Sequence, residues 1–202
     1  MSGLIGHRGL LLKKPGASIA VAFDSTRSST SLTFTSGNRI ITHAANGNNY
    51  AVGKANRGLT PGAFSGVAAF NVRVNVGATS PFMGVGVATA STPTNVYPDG
   101  SGAWTYYQQT GGYSHAGSTT AYGSAFSTNG DVVTVGLHAN GDLQFWKNSV
   151  DQGIVSSAAV AGEVFPMASP WRGDAPAHQV EIFGNASNML FIPSGATPWG
   201  EV

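Results

Sequence analysis

The chain has 202 residues, a length that suits one large domain, and 42% of them are hydrophobic. Only 9% of the residues are charged and the net charge is +1, a combination that predicts a folded protein and excludes a basic surface for nucleic acid. The absence of cysteine excludes disulfides and cysteine-ligated metal sites, and no hydrophobic run is long enough to predict insertion into a membrane.

Hydrophobic residues alternate with polar ones along much of the chain from Ser18 onward, as they do on strands with one buried face. One run, around Met83, is more continuously hydrophobic and indicates a strand that is buried on both faces. The predicted strands, in chain order, are Ile19–Phe23, Leu32–Phe34, Phe70–Val76, Phe82–Ala88, Val133–Leu137, Leu143–Phe145 and Val180–Ile182.

Turn signals rich in glycine and asparagine separate these runs. Asn-Gly and Asp-Gly pairs accept the positive φ angles that tight hairpins require. The clearest hairpin is centred on Asn140-Gly141 and joins Val132–His138 to Asp142–Lys147. Because no stretch of ten or more residues has helical periodicity, the sequence predicts an all-β protein, either a sandwich or a barrel.

Two terminal segments differ from the predicted sandwich of residues 17–185. Residues 1–16 form a basic and apolar arm, and residues 186–202 form an apolar tail that contains Pro193 and Pro198. Either both segments pack on the sandwich or fray, or they dock on neighbouring subunits. In the arm, the apolar residues precede Lys13 and Lys14, the reverse of a secretory signal, so we expect no targeting segment.

A series of short motifs follows in a fixed order after the first predicted strands. The motifs are Gly84–Thr89, Gly102–Tyr106, His115–Gly117, Tyr122-Gly123, Asn129–Val135, Gly141–Asn148, Val164–Pro166 and Val180–Asn185. In this order the chain resembles the SPRY (B30.2-like) family over roughly residues 17–185. The resemblance implies an antiparallel, concanavalin-like jelly-roll β-sandwich that acts as a binding module. The chain departs from the family pattern at Thr134, His138 and Ser149, which affects only details of the turns.

Several residues within these motifs have structural roles that can be predicted. Gly130-Asp131 suits a turn whose aspartate accepts backbone N–H bonds. Gly84 and Gly86, inside a predicted strand, allow a bulge or a close approach of another backbone. Trp104 and Trp146 are expected to pack in the core or at its edge, and His115 is expected to form a structural hydrogen bond.

An enzyme of the glycoside hydrolase type, which shares related jelly-roll folds, is the least favoured alternative. Such enzymes need two carboxyl groups across a cleft, and none of the nine acidic residues pair two positions apart on a strand. No serine elbow, zinc-type histidine spacing or phosphate-binding loop is present. We therefore predict no catalytic residue, no metal site and no cofactor. Asp99 near Asn95 is a weak hint of calcium ligation, and Arg172-Gly173-Asp174 is an integrin-type tripeptide expected by chance.

The resemblance to SPRY domains implies that a ligand would bind to loops at one end of the sandwich. By motif order, Tyr97 matches an aromatic position in the first of these loops and Trp171 matches one before the last strand. Tyr106, Tyr107 and Arg172 lie close to these positions in the sequence, and aromatic and arginine side chains on loops contribute much binding energy. We predict one shallow pocket flanked by Tyr97 and Trp171. The alternative is that these aromatic residues only close the core or form contacts between subunits.

The composition, with few charges, no cysteine and abundant small residues, resembles that of bacteriophage virion proteins. The first functional hypothesis is therefore a non-enzymatic virion component, such as a head decoration, fibre or tail protein. Its expected partners are other virion or assembly subunits in a homo-oligomer, together with a host-surface glycan or protein. The second hypothesis is a free-standing adaptor or lectin-like module that binds a peptide or a glycan.

Overall fold

The computed structural model describes residues 18–43, 50–76, 83–100, 102–126, 128–156, 158–170 and 177–202. Within these ranges the chain forms two sheets and one 3₁₀ turn, Trp199–Glu201. The strands are β1 (Leu32–Thr35), β2 (Ile40–His43), β3 (Gly53–Lys54), β4 (Val67–Val76), β5 (Gly84–Thr89), β6 (Ala103–Tyr107), β7 (Tyr113–His115), β8 (Ser118–Thr120), β9 (Val132–His138), β10 (Leu143–Lys147), β11 (Val150–Val155), β12 (Val164–Ser169), β13 (His178–Phe183) and β14 (Ala196–Pro198).

The larger sheet has eight strands, with seven in the order β1-β2-β13-β4-β9-β10-β11 and β14 paired with β4. All of its pairs are antiparallel except the parallel pair of β14 with β4. The predicted hairpin at Asn140-Gly141 is confirmed, because β9 and β10 pair there and Leu137 faces Leu143. Gly141 has a φ of +90°, the conformation for which glycine was expected at this turn.

The smaller sheet has six strands in the order β3-β12-β5-β6-β7-β8, and all its pairs are antiparallel. The strand predicted around Met83 lies near its centre as β5, although Phe82 is outside the described residues. Every residue of β5 from Gly84 to Ala88 is buried, as its continuous hydrophobic run indicated. The predicted sandwich of two antiparallel sheets is therefore confirmed.

The main core lies between the two sheets and is built from the inward-facing side chains of both. Tyr106 of β6 packs against Phe126 and Phe145 with ring centroids 5.2 and 5.3 Å apart. A second, small cluster of Val52, Ala88, Ala103 and Met167 is separate from this core. Ala88, Ala103 and Met167 come from the three central strands β5, β6 and β12, which require cover on their other face.

The prediction of a strand over Ile19–Phe23 is wrong. Val21 and Phe23 are buried, but Ile19 is exposed and only Phe23 makes an isolated bridge, to Ala55. The backbone here is held by separate hydrogen bonds instead of a strand ladder: the Val21 N–H donates to the Asn185 side-chain oxygen at 3.1 Å, and the Phe23 N–H donates to the Asn38 carbonyl at 2.8 Å. Alternation predicted which residues are buried at positions 21 and 23, but the segment lacks a neighbouring strand along its length.

Residues 186–202 lie on the sandwich. Asn71 of β4 accepts hydrogen bonds from the backbone N–H groups of Leu190 and Phe191, and the Phe191 ring contacts Trp146 of β10. This segment then forms β14 and buries Trp199 completely. Of the two alternatives for this segment, packing on the sandwich or docking on neighbouring subunits, the described contacts agree with the first. The arm of residues 1–16 lies outside the described residues.

Candidate functional site

The connection between β5 and β6 folds back over the smaller sheet and is tied at both ends. The backbone N–H of Thr89 donates to the Gly102 carbonyl at 2.8 Å, and the Thr92 hydroxyl donates to the same carbonyl at 2.6 Å. In the middle of the connection, the Thr94 carbonyl accepts a hydrogen bond from Val52 N–H at 2.9 Å. These bonds anchor the 13-residue connection, and loops of this length are frequently functional.

Lys54 of β3 supports this loop from below. Its side chain is 2% exposed, and its ammonium donates to the carbonyls of Ala90 at 2.8 Å, Thr92 at 2.9 Å and Thr89 at 3.4 Å. Burial lowers the pKa of Lys54, because the charged form loses contact with water. A buried ammonium needs its donors satisfied, and here the loop carbonyls satisfy them.

A cavity of about 720 Å³ opens on this loop. Its apolar lining comes from Pro93, Val96 and Tyr97, and its polar lining includes Asp99 and Thr92. Ligand sites in proteins typically have several hundred Å³ and combine apolar walls with a few fixed polar groups. The cavity therefore has the size and the chemistry of a binding site.

Tyr97 is the aromatic wall of the cavity and is held by two other tyrosines. Its ring meets the edges of Tyr50 and Tyr107 in T-shaped contacts, with centroid distances of 5.1 and 5.6 Å. Burial raises the pKa of Tyr97 to about 12, so its phenol is neutral at physiological pH. A half-buried aromatic ring fixed by its neighbours offers contact area at a low entropic cost.

The structure places the predicted site residues in different environments. Tyr97 lines the cavity, and Tyr107 lies behind it, packed against the Tyr97 ring. Tyr106 does not reach this surface, because its side chain is completely buried between the sheets and its hydroxyl donates to the Ser124 carbonyl. We therefore leave Tyr106 out of the site. Trp171 and Arg172 lie outside the described residues.

Several carboxylates, which a catalytic site would need, are bound by other groups of the domain. Glu181 lies between two arginines, 2.6 Å from Arg73 and 3.4 Å from Arg39. Asp131 accepts a hydrogen bond from Thr128 N–H, as predicted for this turn. No group of three or more potential metal-ligating side chains occurs within the described ranges, and no helix there is long and apolar enough to cross a membrane.

Comparison with known proteins identifies the family. The sequence model of the SPRY domain matches residues 67–178, which is more than half of the chain. The chain belongs to the SPRY domain family. SPRY domains are generally protein-interaction modules, so a non-enzymatic binding role is consistent with the fold. No curated protein sequence is similar enough to this chain to give a match.

Solved structures share the SPRY fold with this chain. The SPRY domain of human HERC1 is 21% identical, with a TM-score of 0.67, over 80% of this chain and 97% of that domain. A further human SPRY domain is 15% identical with a TM-score of 0.64, over 76% of this chain and 95% of that one. The PSpry domain of TRIM65 is 12% identical with a TM-score of 0.60, over 81% of this chain and 89% of that one. At these identities the similarity concerns the fold.

Several motif residues of this SPRY domain have the structural roles predicted for them. Trp104 and Trp146 are 5% and 8% exposed, and the Trp104 indole donates to the Ala158 carbonyl at 2.7 Å. His115 stacks on Trp104 and its Nδ1 lies 2.7 Å from the Ala103 carbonyl oxygen. Two residues of the site, Tyr50 and Lys54, were not predicted. Both precede the family motifs in the sequence, and only tertiary packing brings them to the loop.

Proposed function

We propose that this SPRY domain binds a short extended segment of a partner protein in the cavity on the β5–β6 loop. The observation that carries the proposal is the open cavity of about 720 Å³ with the half-buried Tyr97 as its wall. A peptide segment of a few residues fits this volume, and Tyr97 supplies the kind of aromatic contact that often dominates binding energy.

The rigidity of the loop favours binding by a preformed surface. Lys54 and the hydrogen bonds to Gly102 hold the loop, and Tyr50 and Tyr107 hold the Tyr97 ring. A surface that is already ordered loses little conformational entropy when a partner binds. Binding therefore does not require the loop to fold around the peptide.

The proposal is tested with peptides selected from a random display library on the immobilised domain. We expect Tyr97→Ala to weaken the selected peptides by about tenfold or more, the usual effect of removing a central aromatic contact. Val150→Ala is the matched control, because Val150 is an exposed apolar residue on the edge strand β11 of the other sheet. Equal affinity of the wild type and Tyr97→Ala, with unchanged thermal stability, would contradict the proposal. If the selection yields no peptide but a glycan array gives a Tyr97-dependent signal, the lectin-like alternative replaces it.

Trp171 and Arg172 are proposed to extend the same surface, on the basis of motif order alone. Trp171→Ala and Arg172→Ala are therefore measured against the same peptides. Unchanged affinity in both variants, with the fold intact, removes these two residues from the site and leaves the cavity on the β5–β6 loop.

We further propose that the chain works as a virion component or another assembly subunit. Support comes from the composition: only 9% of residues are charged and the net charge is +1, which gives little repulsion between copies. Sedimentation velocity at increasing protein concentration tests this setting. Concentration-dependent oligomers support the assembly role, whereas a monomer at all concentrations supports the free-standing adaptor.

A further inference from the structure

The charge of the cavity points to the chemistry of its ligand. Among the described residues that line it, Asp99 is the one with a charged side chain. Within the described part of the chain, the Asp99 carboxylate takes part in no salt bridge. Its backbone carbonyl accepts a hydrogen bond from Gly117 N–H at 2.7 Å, which fixes the position of the residue. Among the described residues, the cavity therefore presents a negative charge at an anchored backbone position, with no cation paired to it.

The buried ammonium of Lys54 does not neutralise the Asp99 carboxylate. All three of its hydrogens are directed to the carbonyls of Thr89, Ala90 and Thr92, so no N–H donor remains for the cavity. The residues around Asp99 in the lining carry hydroxyls that already bond to one another: the Ser91 and Thr89 hydroxyls lie 3.1 Å apart, and the Thr92 hydroxyl is 3.1 Å from that of Thr89. Asp99 is thus the acceptor-only side chain among these lining residues, and the hydroxyls can rotate to accept from a ligand as well.

The ring of Tyr97 is a second group in the cavity lining that favours a cationic ligand. Its ring is beside Asp99 in the cavity lining, and the charge of Asp99 contributes to the raised pKa of Tyr97. Aromatic rings attract cations over their faces, and a carboxylate binds a guanidinium through two parallel hydrogen bonds. Arginine is also more weakly hydrated than lysine, so it enters a half-open apolar cavity more readily.

We propose that the cavity is specific for an arginine side chain of the partner segment, with Asp99 as the carboxylate that binds its guanidinium and Tyr97 as the ring beside it. This inference rests on the proposed function, since it assigns the residue that the bound segment must carry. Asp99 determines specificity, while Tyr97 and the apolar wall supply contact area.

The test uses three synthetic peptides with the sequence acetyl-Gly-X-Gly-amide, in which X is arginine, lysine or citrulline. Citrulline has nearly the same shape as arginine but no charge. The peptides are titrated into ¹⁵N-labelled protein, and the amide signals of Gly100 and Gly102, which line the cavity, are followed. We expect saturable shifts with the arginine peptide, smaller ones with lysine and none with citrulline. Asp99→Asn should weaken the arginine peptide by about tenfold, the usual effect of losing a charged hydrogen-bond partner.

Asp142→Asn is the matched control, because it removes the same charge in the β9–β10 turn of the other sheet. Equal responses to the arginine and citrulline peptides, or full affinity in Asp99→Asn, overturn the role of the charge. Equal responses to arginine and lysine overturn the preference for a guanidinium. If library-selected peptides need Tyr97 but not Asp99, this inference fails and the proposed function stands; if they need neither, the proposed function itself fails.

Discussion

At the scale of single residues, Lys54 and His178 are the most deeply buried basic side chains among the described residues. Lys54 supports the loop of the candidate site, and His178 of β13 faces His43 of β2 across two neighbouring strands. The exposed fractions are 2% for Lys54 and 1% for His178, so both charged forms lose almost all contact with water. Their consequences differ, because Lys54 has three carbonyl acceptors, whereas neither ring nitrogen of His178 has a hydrogen-bond partner among the described residues.

Replacing Lys54 with methionine should destabilise the domain. The methionine keeps most of the apolar stem but leaves the carbonyls of Thr89, Ala90 and Thr92 without their shared donor. We expect a loss of about 2 kcal/mol in the free energy of unfolding, measured by urea denaturation. Lys147→Met is the control, since Lys147 is more exposed and should change stability by less than about 1 kcal/mol. Equal stability of wild type and Lys54→Met would show that water replaces the ammonium at the loop.

His178 should make the domain less stable in mild acid. Burial, with a smaller contribution from His43, lowers the pKa of His178 from its ordinary 6.5 to about 4. Between these two values the unfolded chain binds a proton that the folded chain does not, so stability falls as the pH drops from 6.5 to 4. The full effect of this group is on the order of 3 kcal/mol and is complete below pH 4.

The measurement compares urea unfolding at pH 7 and pH 4.5 in the wild type and in His178→Gln. Acidic residues also titrate in this range, but they do so in both proteins. We therefore expect a smaller acid-induced loss in His178→Gln than in the wild type. The same loss in both proteins would mean that His178 is protonated without cost in the folded state.

At the scale of elements, the close approach of β5 and β6 depends on one glycine. A Cβ added to Gly86 would lie 1.9 Å from the Trp104 carbonyl oxygen, which is backbone and cannot rotate away. The two strands are central in the smaller sheet and lead into the two ends of the site loop. The position of the cavity therefore depends on a strand pair that tolerates no side chain at residue 86.

Gly86→Ala should accordingly disrupt the β5–β6 pairing and cost about 3 kcal/mol or more, because the backbone of one strand must move. Thermal unfolding followed by circular dichroism gives the loss. Gly100→Ala, in the same connection, is the matched control, since a Cβ there meets nothing within 4 Å and its stability should stay within about 1 kcal/mol. A Gly86→Ala protein with the same melting temperature as the wild type would rule out this steric constraint.

The elements also show how far sequence reasoning reaches. β4, β9 and β10 were predicted because their alternating side chains face one core, and the Asn140-Gly141 turn sets the register between β9 and β10. β3 and β14 could not be predicted in this way, since strands of two or three residues are too short for a periodic pattern. In the site, Tyr97 was predicted through its place among the motifs. Its support by Tyr50 and Lys54 depends on distant parts of the chain, which periodicity does not bring together.

At the scale of the whole molecule, the C-terminal segment completes the core of the sandwich. Trp199 is fully buried, its ring meets Phe70 of β4 at 5.4 Å, and its indole donates to the Arg57 carbonyl at 3.0 Å. Before it reaches this position, the segment covers the outer face of the larger sheet at Trp146. Residues 186–202 thus pack on both faces of that sheet.

Trp199→Ala should therefore lower the free energy of unfolding by about 3–5 kcal/mol, the usual cost of removing a fully buried aromatic side chain. Leu190→Ala tests the same segment at an exposed position, where the side chain is 48% exposed, and should cost less than about 1 kcal/mol. Both values come from urea denaturation. Similar small losses in the two variants would indicate that the segment contributes little to global stability.

The hydrogen bond between Ile19 N–H and the Gly200 carbonyl, 2.9 Å long, brings together two positions that are 181 residues apart in the chain. Asn185 reinforces this contact through a bond from its amide to the Ile19 carbonyl at 2.9 Å. A short peptide linker from Val202 to Ser18 would therefore span only a small gap, and the ring so formed could be opened at the exposed Asn140 turn. Such a circular permutant would keep both sheets and the β5–β6 loop, and it would carry its new ends far along the chain from the site.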